Sequence, residues 1–156
     1  MKNLLLLILF ISCVGCTAQK TSLANVTERN GKIGIGTSFP DELLTVKGKI
    51  HTQEVLVDLQ GAVAPDYVFE NYYNGTSLLK PNYKFPSLTE VASFIEANHH
   101  LEGIPSAKEI EEKGLSLKEM NLLLLQKVEE LTIYTIEQQQ EINELKEKID
   151  LIVKEN

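Results

Sequence analysis

The residues best placed to do chemistry are a histidine pair and the carboxylate beside it. His99 and His100 are adjacent, and Glu102 follows two residues later. Imidazole and carboxylate groups bind zinc, but adjacent residues rarely chelate one ion and no third ligand is suitably spaced. Histidines also suit the C-terminal end of a helix, where positive charge is stabilised. The sequence therefore predicts no metal site.

A glycine-rich stretch at 31–36 could cradle a phosphate group. Its glycines, Gly31, Gly34 and Gly36, lack the lysine-serine ending of a P-loop and the G-x-G-x-x-G spacing of a dinucleotide fold. Tight β-turns and close approach of neighbouring chains explain such glycines better. We expect no cofactor and no cofactor-binding residue in this chain.

Several carboxylates and one serine could supply acid-base or nucleophilic chemistry. Asp41 with Glu42, and Glu109 with its neighbours at 111 and 112, have no apolar cleft in view that would separate their pKa values. Ser106 precedes Lys108 by two residues at a helix start, where a serine caps the backbone. The sequence thus predicts no catalytic residue, and we expect that the protein is not an enzyme.

A group of aromatic residues could form a recognition surface. The stretch 66–85 is rich in tyrosine and asparagine, and its aromatic side chains are Tyr67, Phe69, Tyr72, Tyr73 and Tyr83. Such side chains bind sugars or proteins when they are exposed, and pack loops when they are buried. Both interpretations remain open, so a surface glycan or an envelope protein stays a candidate partner.

The N-terminal residues 1–18 have the pattern of an export signal. Lys2 precedes an apolar run at 4–11, far shorter than the roughly 20 residues of a membrane-spanning helix. Cys16 ends a string that resembles a lipobox, in which the cysteine becomes the acylated first residue, and Cys13 ends a second string of this kind; ordinary cleavage after Ala18 is the alternative. Lipidation at Cys16 predicts an envelope protein of the outer membrane or cell surface, whereas cleavage after Ala18 predicts secretion. A lipid anchor is the only membrane contact that we expect.

The charge balance excludes one class of partner. The chain has 15 basic and 22 acidic residues and a formal net charge of −7. No basic patch is present that could bind a phosphate backbone. We therefore expect no nucleic acid partner.

The sequence predicts three segments before the helices: a flexible tether, a region of short strands and a loop. Residues 19–30 are polar and predict a flexible tether. Residues 31–60, here called the β-stalk, predict short strands at 31–37, 43–46, 50–52 and 54–58, separated by turn residues. Residues 61–85 have little apolar periodicity and predict a loop. A single copy of such strands could bury little, so we expect copies to share a core.

Helical signals begin abruptly after residue 85. Three serines are each followed three residues later by glutamate, the pattern of a capping box: Ser87, Ser106 and Ser116. They predict helices at 88–98 and 107–113, which form a small helical region at 86–114, and a long helix from residue 117. The last segment, 115–156, predicts a coiled coil.

The long helix has a strict heptad spacing. Its apolar core positions, a and d, are occupied by Leu117, Leu124, Val128, Leu131, Ile142, Leu145, Ile149 and Ile152. Isoleucine at both a and d favours three strands, while Thr135 and Gln138 add a polar core layer. In a parallel arrangement, Glu141 at g meets Lys146 at e of a neighbour. We also expect the two short helices to cover the apolar residues outside a and d, which are Leu122, Leu123, Leu125, Ile133 and Ile136.

Two stretches resemble a known family. GIGT at 34–37 with Pro40, then LTVKG at 44–48, is similar to a unit of tail-fibre-like proteins. FPSL at 85–88, PSAKE at 105–109 and QKVEEL at 126–131 resemble the C-terminal region of secreted tail-fibre-like proteins of the Bacteroidota. The resemblance spans roughly residues 31–140 and implies a fibre-like protein without a defined activity.

The same C-terminal region is similar to the intramolecular chaperone domain of phage tail fibres. That domain cleaves itself at an S-D-x-R-L-K string, which this sequence lacks. The absence of this string argues against self-cleavage. The strand, helix and heptad patterns together predict an α+β, fibrous protein with a β-stalk, a small helical knob and a parallel coiled coil, assembled as a homotrimer. Its predicted role is structural or adhesive; a trimerising chaperone or cap for another envelope fibre is the alternative, and a self-cleaving peptidase is the weakest hypothesis.

Overall fold

The computed structural model describes residues 23–155. The predicted export signal, with Cys16 and Ala18, lies outside this range, as do the first residues of the predicted tether. The chain divides into two compact units, Met1–Val55 and Leu56–Asn156. One contains strands and the other contains helices, so the chain is a mixed α+β protein as expected.

The first unit contains a three-stranded sheet in the order β1-β2-β3, with β1 at Val26–Arg29, β2 at Lys32–Ile35 and β3 at Leu44–Val46. β1 pairs antiparallel with β2, and β2 pairs parallel with β3. Asn30 and Gly31 join β1 to β2, and both have positive φ angles, 53° and 75°. An Asn-Gly pair is the preferred two-residue hairpin loop because both residues tolerate this conformation.

The sheet corrects two of the expectations for this region. Strand β1 lies within 19–30, which was expected to be a tether; the Asn30-Gly31 turn lets this polar segment pair with β2. Residues 50–52 and 54–58 were expected to be strands but are exposed and irregular, since no strand among the described residues lies beside them to accept their backbone hydrogen bonds. The strands predicted at 31–37 and 43–46 are confirmed in shortened form.

The two faces of this sheet differ. Strand alternation and pairing place five apolar residues and one charged residue on one face: Val26, Glu28, Ile33, Ile35, Leu44 and Val46. On the other face, Thr45 is buried under the turn that precedes it. The Thr45 hydroxyl donates to Asp41 Oδ1 at 2.7 Å and accepts from the backbone N–H groups of Asp41 and Glu42, both at 3.1 Å. The apolar face is therefore the uncovered one.

The second unit contains four helices: α1 at Tyr67–Asn74, α2 at Leu88–Asn98, α3 at Ala107–Lys113 and α4 at Leu117–Glu155. The three predicted helices are confirmed. Complete capping boxes begin α2 and α3, where the Ser87 and Ser106 hydroxyls accept from backbone N–H groups three residues on, both at 3.3 Å. At the start of α4, the Glu119 N–H donates to the Ser116 hydroxyl at 3.4 Å.

Helix α1 lies inside 61–85, so the prediction of a loop there is wrong in part. Asp66 occupies the N-cap, and its side chain makes no capping bond among the described residues. The helix ends at Gly75 in the left-handed region, with φ of 77°. Packing explains it, because Tyr67 and Val68 are almost fully buried against α4. Tertiary contacts outweigh the weak local signal.

The core of this unit lies between α1, the segment 83–85 and α4. Its buried members are Tyr67, Val68, Tyr83 and Ile133, with Phe69, Tyr72 and Phe85 packed against them. The expectation that the two short helices cover α4 needs correction, because within the described residues α2 and α3 contribute no buried side chain. Helix α1 fills that position instead.

Candidate assembly face of the long helix

Helix α4 has one covered face, which lies against the core. Ile133 is 1% exposed, and Gln126, Glu129, Glu130 and Tyr134 are also buried. Apart from Tyr134, these residues occupy heptad positions b, c and f, which point away from an a/d seam. The covered face ends near Glu137, whose carboxylate accepts from the Tyr72 hydroxyl at 2.9 Å. From residue 138 to 154 the helix is exposed on every side.

Polar contacts fix α4 against the core. Glu130 Oε1 accepts from the Tyr83 hydroxyl at 2.9 Å and from Gln126 Nε2 at 2.7 Å, and Oε2 accepts from Lys127 Nζ at 2.8 Å. Gln126 Oε1 in turn accepts from the Tyr67 hydroxyl at 2.7 Å. Burial, followed by the bond to Glu130, raises the pKa of Tyr83 far above its usual range. This network holds α4 in one rotation about its axis.

Glu129 lies next to this network in the chain but takes no part in these hydrogen bonds. Its Oε2 is buried and has no hydrogen-bond partner among residues 23–155. Burial is the main cause that raises the pKa of Glu129, and the charge of Asp66 adds to it. A carboxyl group in such a position is favoured in its protonated form.

The opposite side of α4 carries the predicted seam. The a and d residues are exposed by 46% to 63% of their surface: Leu117, Leu124, Val128, Leu131, Ile142, Leu145, Ile149 and Ile152. They run along a helix of 39 residues, about 58 Å in length. The structure therefore places every predicted core residue on an apolar stripe that the chain itself leaves exposed.

The histidines and the carboxylates near them have local structural roles. His99 is the C-cap of α2, in the left-handed region with φ of 59°. His100 packs edge-on against Phe94, and its Nδ1 lies 3.0 Å from the Leu101 carbonyl oxygen. Among residues 23–155, no group of three histidine, cysteine, aspartate or glutamate side chains is placed to hold a metal ion. Glu109 completes the capping box with Ser106, whose bonds lower its pKa.

The aromatic residues are placed mainly in the core. Tyr67 and Tyr83 are buried, with ring centroids 4.9 Å apart, and Lys80 lies over both rings. Tyr73 is the exposed member, at 67%. The structure therefore favours packing over an aromatic recognition surface. Sequence reasoning missed the polar partners of the buried rings, because these partners are distant in the chain: the Tyr67 hydroxyl donates to Gln126, which lies 59 residues away.

The chain was compared with protein families, curated proteins and solved structures. None of the three comparisons finds a match. Within the described residues, no helix has both the length and the apolar character needed to cross a membrane. The exposed faces of α4 and of the sheet are therefore the features of this chain that bear on its function.

Proposed function

We propose that this chain is an exported, non-catalytic structural or adhesion protein of the cell envelope, and that it assembles as a parallel homotrimer through α4. The observation that carries the proposal is the division of α4 into two faces. One face is bound by the chain's own core, and the other presents a heptad stripe of exposed apolar residues. Export is supported by the pattern of residues 1–18 and fibre-like character by the motifs at 34–48.

The length of α4 supports assembly. Its last two heptads carry Ile142, Leu145, Ile149 and Ile152, and residues 138–154 are all exposed. An isolated helix of this composition is marginal in water, because helix formation alone supplies little free energy. Burial of the stripe between parallel copies would supply it, at roughly 25 cal/mol per Å² of apolar surface.

Three copies fit the seam better than two. Isoleucine at both a and d favours trimers over dimers. Thr135 and Gln138 would form a polar layer that fixes the register of the copies at some cost in stability. A lipid on Cys16 would be present once per chain, and three such chains would bind a membrane far more durably than one.

The sheet gives independent support for several copies. Its apolar face exposes 38% of Val26, 42% of Ile33, 40% of Ile35 and 58% of Leu44. Strands of only three or four residues bury little surface in one copy, and further copies around one axis would cover the apolar face and the strand edges. The small size of this sheet also favours a second candidate function, a trimerising cap for another envelope fibre.

A charge placed in the seam tests the proposal. We expect Ile142→Asp combined with Ile149→Asp to abolish assembly and much of the helicity of α4, because buried like charges would meet at the axis. Molar mass by light scattering and circular dichroism of residues 20–156 measure both effects. The matched control is Asn143→Asp with Leu151→Asp, at positions b and c, which should keep the mass. If the variant with both aspartates in the seam also keeps its molar mass and its circular dichroism, the assignment of these residues to a coiled-coil core is wrong.

A further inference from the structure

Two positions of the heptad, e and g, flank the a/d seam of α4. They usually carry charged residues, which set the partner and the orientation of a coiled coil. In α4 the g positions are Met120, Lys127, Tyr134, Glu141 and Lys148, and the e positions include Leu125, Thr132, Gln139, Lys146 and Val153. Met120 and Leu125 thus place apolar side chains on opposite flanks, near the start of the helix.

The spacing of a parallel coiled coil decides which flank residues meet. A g residue of one helix faces the e residue five positions further along its neighbour. By this offset Glu141 faces Lys146 of the neighbour, so opposite charges pair. By the same offset Met120 faces Leu125 of the neighbour, a pair in which both members are apolar. Each other pair along α4 contains a polar or charged residue.

Both apolar residues leave part of their surface to a partner. Met120 is half-buried and lines a cavity with Leu115 and Leu123, where α3 is followed by α4. Leu125 is 45% exposed. Within the described residues, neither Met120 nor Leu125 belongs to the buried core of its own chain. Contact between the two would therefore remove apolar surface from water.

The alignment of copies in equal register is the one that satisfies both flank pairs. A slip of one heptad would place Met120 against Lys118 or Thr132 in place of Leu125. An apolar side chain would then meet a charged or polar one. The same slip would separate Glu141 from its lysine partner.

The polar core positions favour the same alignment. In equal register, the Thr135 residues of all copies share one layer and the Gln138 residues share the next. A slip of one heptad would place Gln138 in a layer with Leu131 or Leu145, where its amide would be buried without a partner. The core and the flanks therefore agree on one alignment.

On the basis of the trimer proposed above, we infer that the copies lie in equal register and that Leu125 of each copy packs against Met120 of the next. The first two heptads of α4 then form a wider apolar contact than the a/d seam alone. Because Met120 also lines the cavity between α3 and α4, this contact lies beside the small helical region of each copy.

An exchange of charges tests this contact. We expect Met120→Glu and Leu125→Lys each to weaken the association constant of the trimer by at least roughly tenfold, since each places an unpaired charge against an apolar side chain. The double variant should assemble clearly better than either single variant, because its new charges would pair in the same sense as Glu141 and Lys146. Sedimentation equilibrium over a range of chain concentrations measures the constants.

The matched control combines Met120→Glu with Gln139→Lys. It carries the same two charges, but its lysine lies at an exposed e position that faces Tyr134 of the neighbour. We expect this control to assemble no better than Met120→Glu alone. Within one helix, positions 120 and 125 are five residues apart, so an i, i+4 ion pair cannot explain a recovery.

Each outcome decides the inference. Recovery in the double variant and not in the control supports the contact. If neither single variant weakens assembly, if the double variant assembles no better than the single variants, or if the control recovers as well, the contact is wrong while the trimer stands. If the unsubstituted chain is a monomer, the proposed assembly fails and the inference fails with it.

A second variant decides if Met120→Glu lowers the helicity measured by circular dichroism. Leu125→Ala leaves position 120 and the cavity beside it untouched. A loss of roughly tenfold in the association constant would support the contact, as for an apolar anchor between copies. An association constant equal to that of the unsubstituted chain would overturn it.

Discussion

Glu129 and Glu130 are adjacent on α4, yet their carboxyl groups have opposite surroundings. Glu130 accepts hydrogen bonds from Tyr83, Gln126 and Lys127. Glu129 has a buried oxygen without a partner in the described part of the chain. A buried acceptor without a donor lowers stability, whereas one with several donors contributes to it. The same substitution should therefore have opposite effects at the two positions.

We expect Glu129→Gln to raise the free energy of unfolding at pH 7 by about 1 kcal/mol, because it removes a charge that burial disfavours. Burial raises the pKa of Glu129 above its ordinary value of 4.5, so the folded chain holds this proton more tightly than the unfolded chain does. The stabilisation that comes from this more tightly held proton is fully present below pH 4.5, the pKa in the unfolded chain. It is lost as the pH rises through the higher pKa of the folded chain. The gain from Glu129→Gln should therefore vanish in urea unfolding at pH 4.

Glu130→Gln should instead lower the free energy of unfolding by about 2 kcal/mol at pH 7. The amide nitrogen would face either the donors Tyr83 and Gln126 or the ammonium of Lys127, so a donor would meet a donor. Both variants are compared at one chain concentration, so that assembly contributes equally. Loss of stability in Glu129→Gln, or none in Glu130→Gln, would contradict this account of the network.

These residue contacts could not have been predicted from the sequence. Glu130 bonds to Tyr83 across 47 residues, and Tyr67 bonds to Gln126 across 59. No local pattern indicates which glutamate of α4 meets a tyrosine hydroxyl. The capping pairs of Ser87 with Glu90 and Ser106 with Glu109 could be predicted, because both partners lie within one helical turn.

At the scale of elements, α1 shows what the sequence conceals. It has no capping box, and its aromatic residues are modest helix formers. Burial of Val68 and Tyr67 against α4 determines its conformation. Strand β1 is similar, because its polar residues take strand form through pairing with β2. The Asn30-Gly31 pair was the available signal for that hairpin, and Gly75 was the available signal for the end of α1.

Helix α1 also holds the following segment in place. The Asn71 side chain donates from Nδ2 to the Tyr83 carbonyl at 3.0 Å and accepts at Oδ1 from the Phe85 N–H at 3.2 Å. We expect Asn71→Ala to lower the free energy of unfolding by about 2 kcal/mol, since two backbone groups lose a partner. Hydrogen exchange at the Phe85 amide should accelerate markedly. Asn74→Ala, at the exposed end of the same helix, is the control and should leave that exchange unchanged.

If Asn71→Ala leaves both the exchange at Phe85 and the stability unchanged, α1 does not position the segment 83–85. That segment brings Tyr83 and Phe85 into the core beside α4. Its placement therefore links α1 to the covered face of the long helix.

At the scale of the whole molecule, the sequence predicted the stripe on α4 but not what covers the rest of the helix. The heptad spacing is a local, periodic signal, and every predicted a and d residue of the stripe is exposed. Which of Leu122, Leu123 and Ile133 becomes buried depends on α1, which the sequence did not reveal. The number of chains that share the seam depends on contacts between copies, so it stays a prediction.

The proposed trimer would cover both the exposed seam of α4 and the apolar face of the sheet. Its most direct test is the molar mass of residues 20–156 in solution, measured by light scattering after size exclusion. We expect three times the mass of one chain, retained on dilution into the low micromolar range. The mass of a single chain would contradict it, because the apolar stripe from Leu117 to Ile152 would then remain exposed to water.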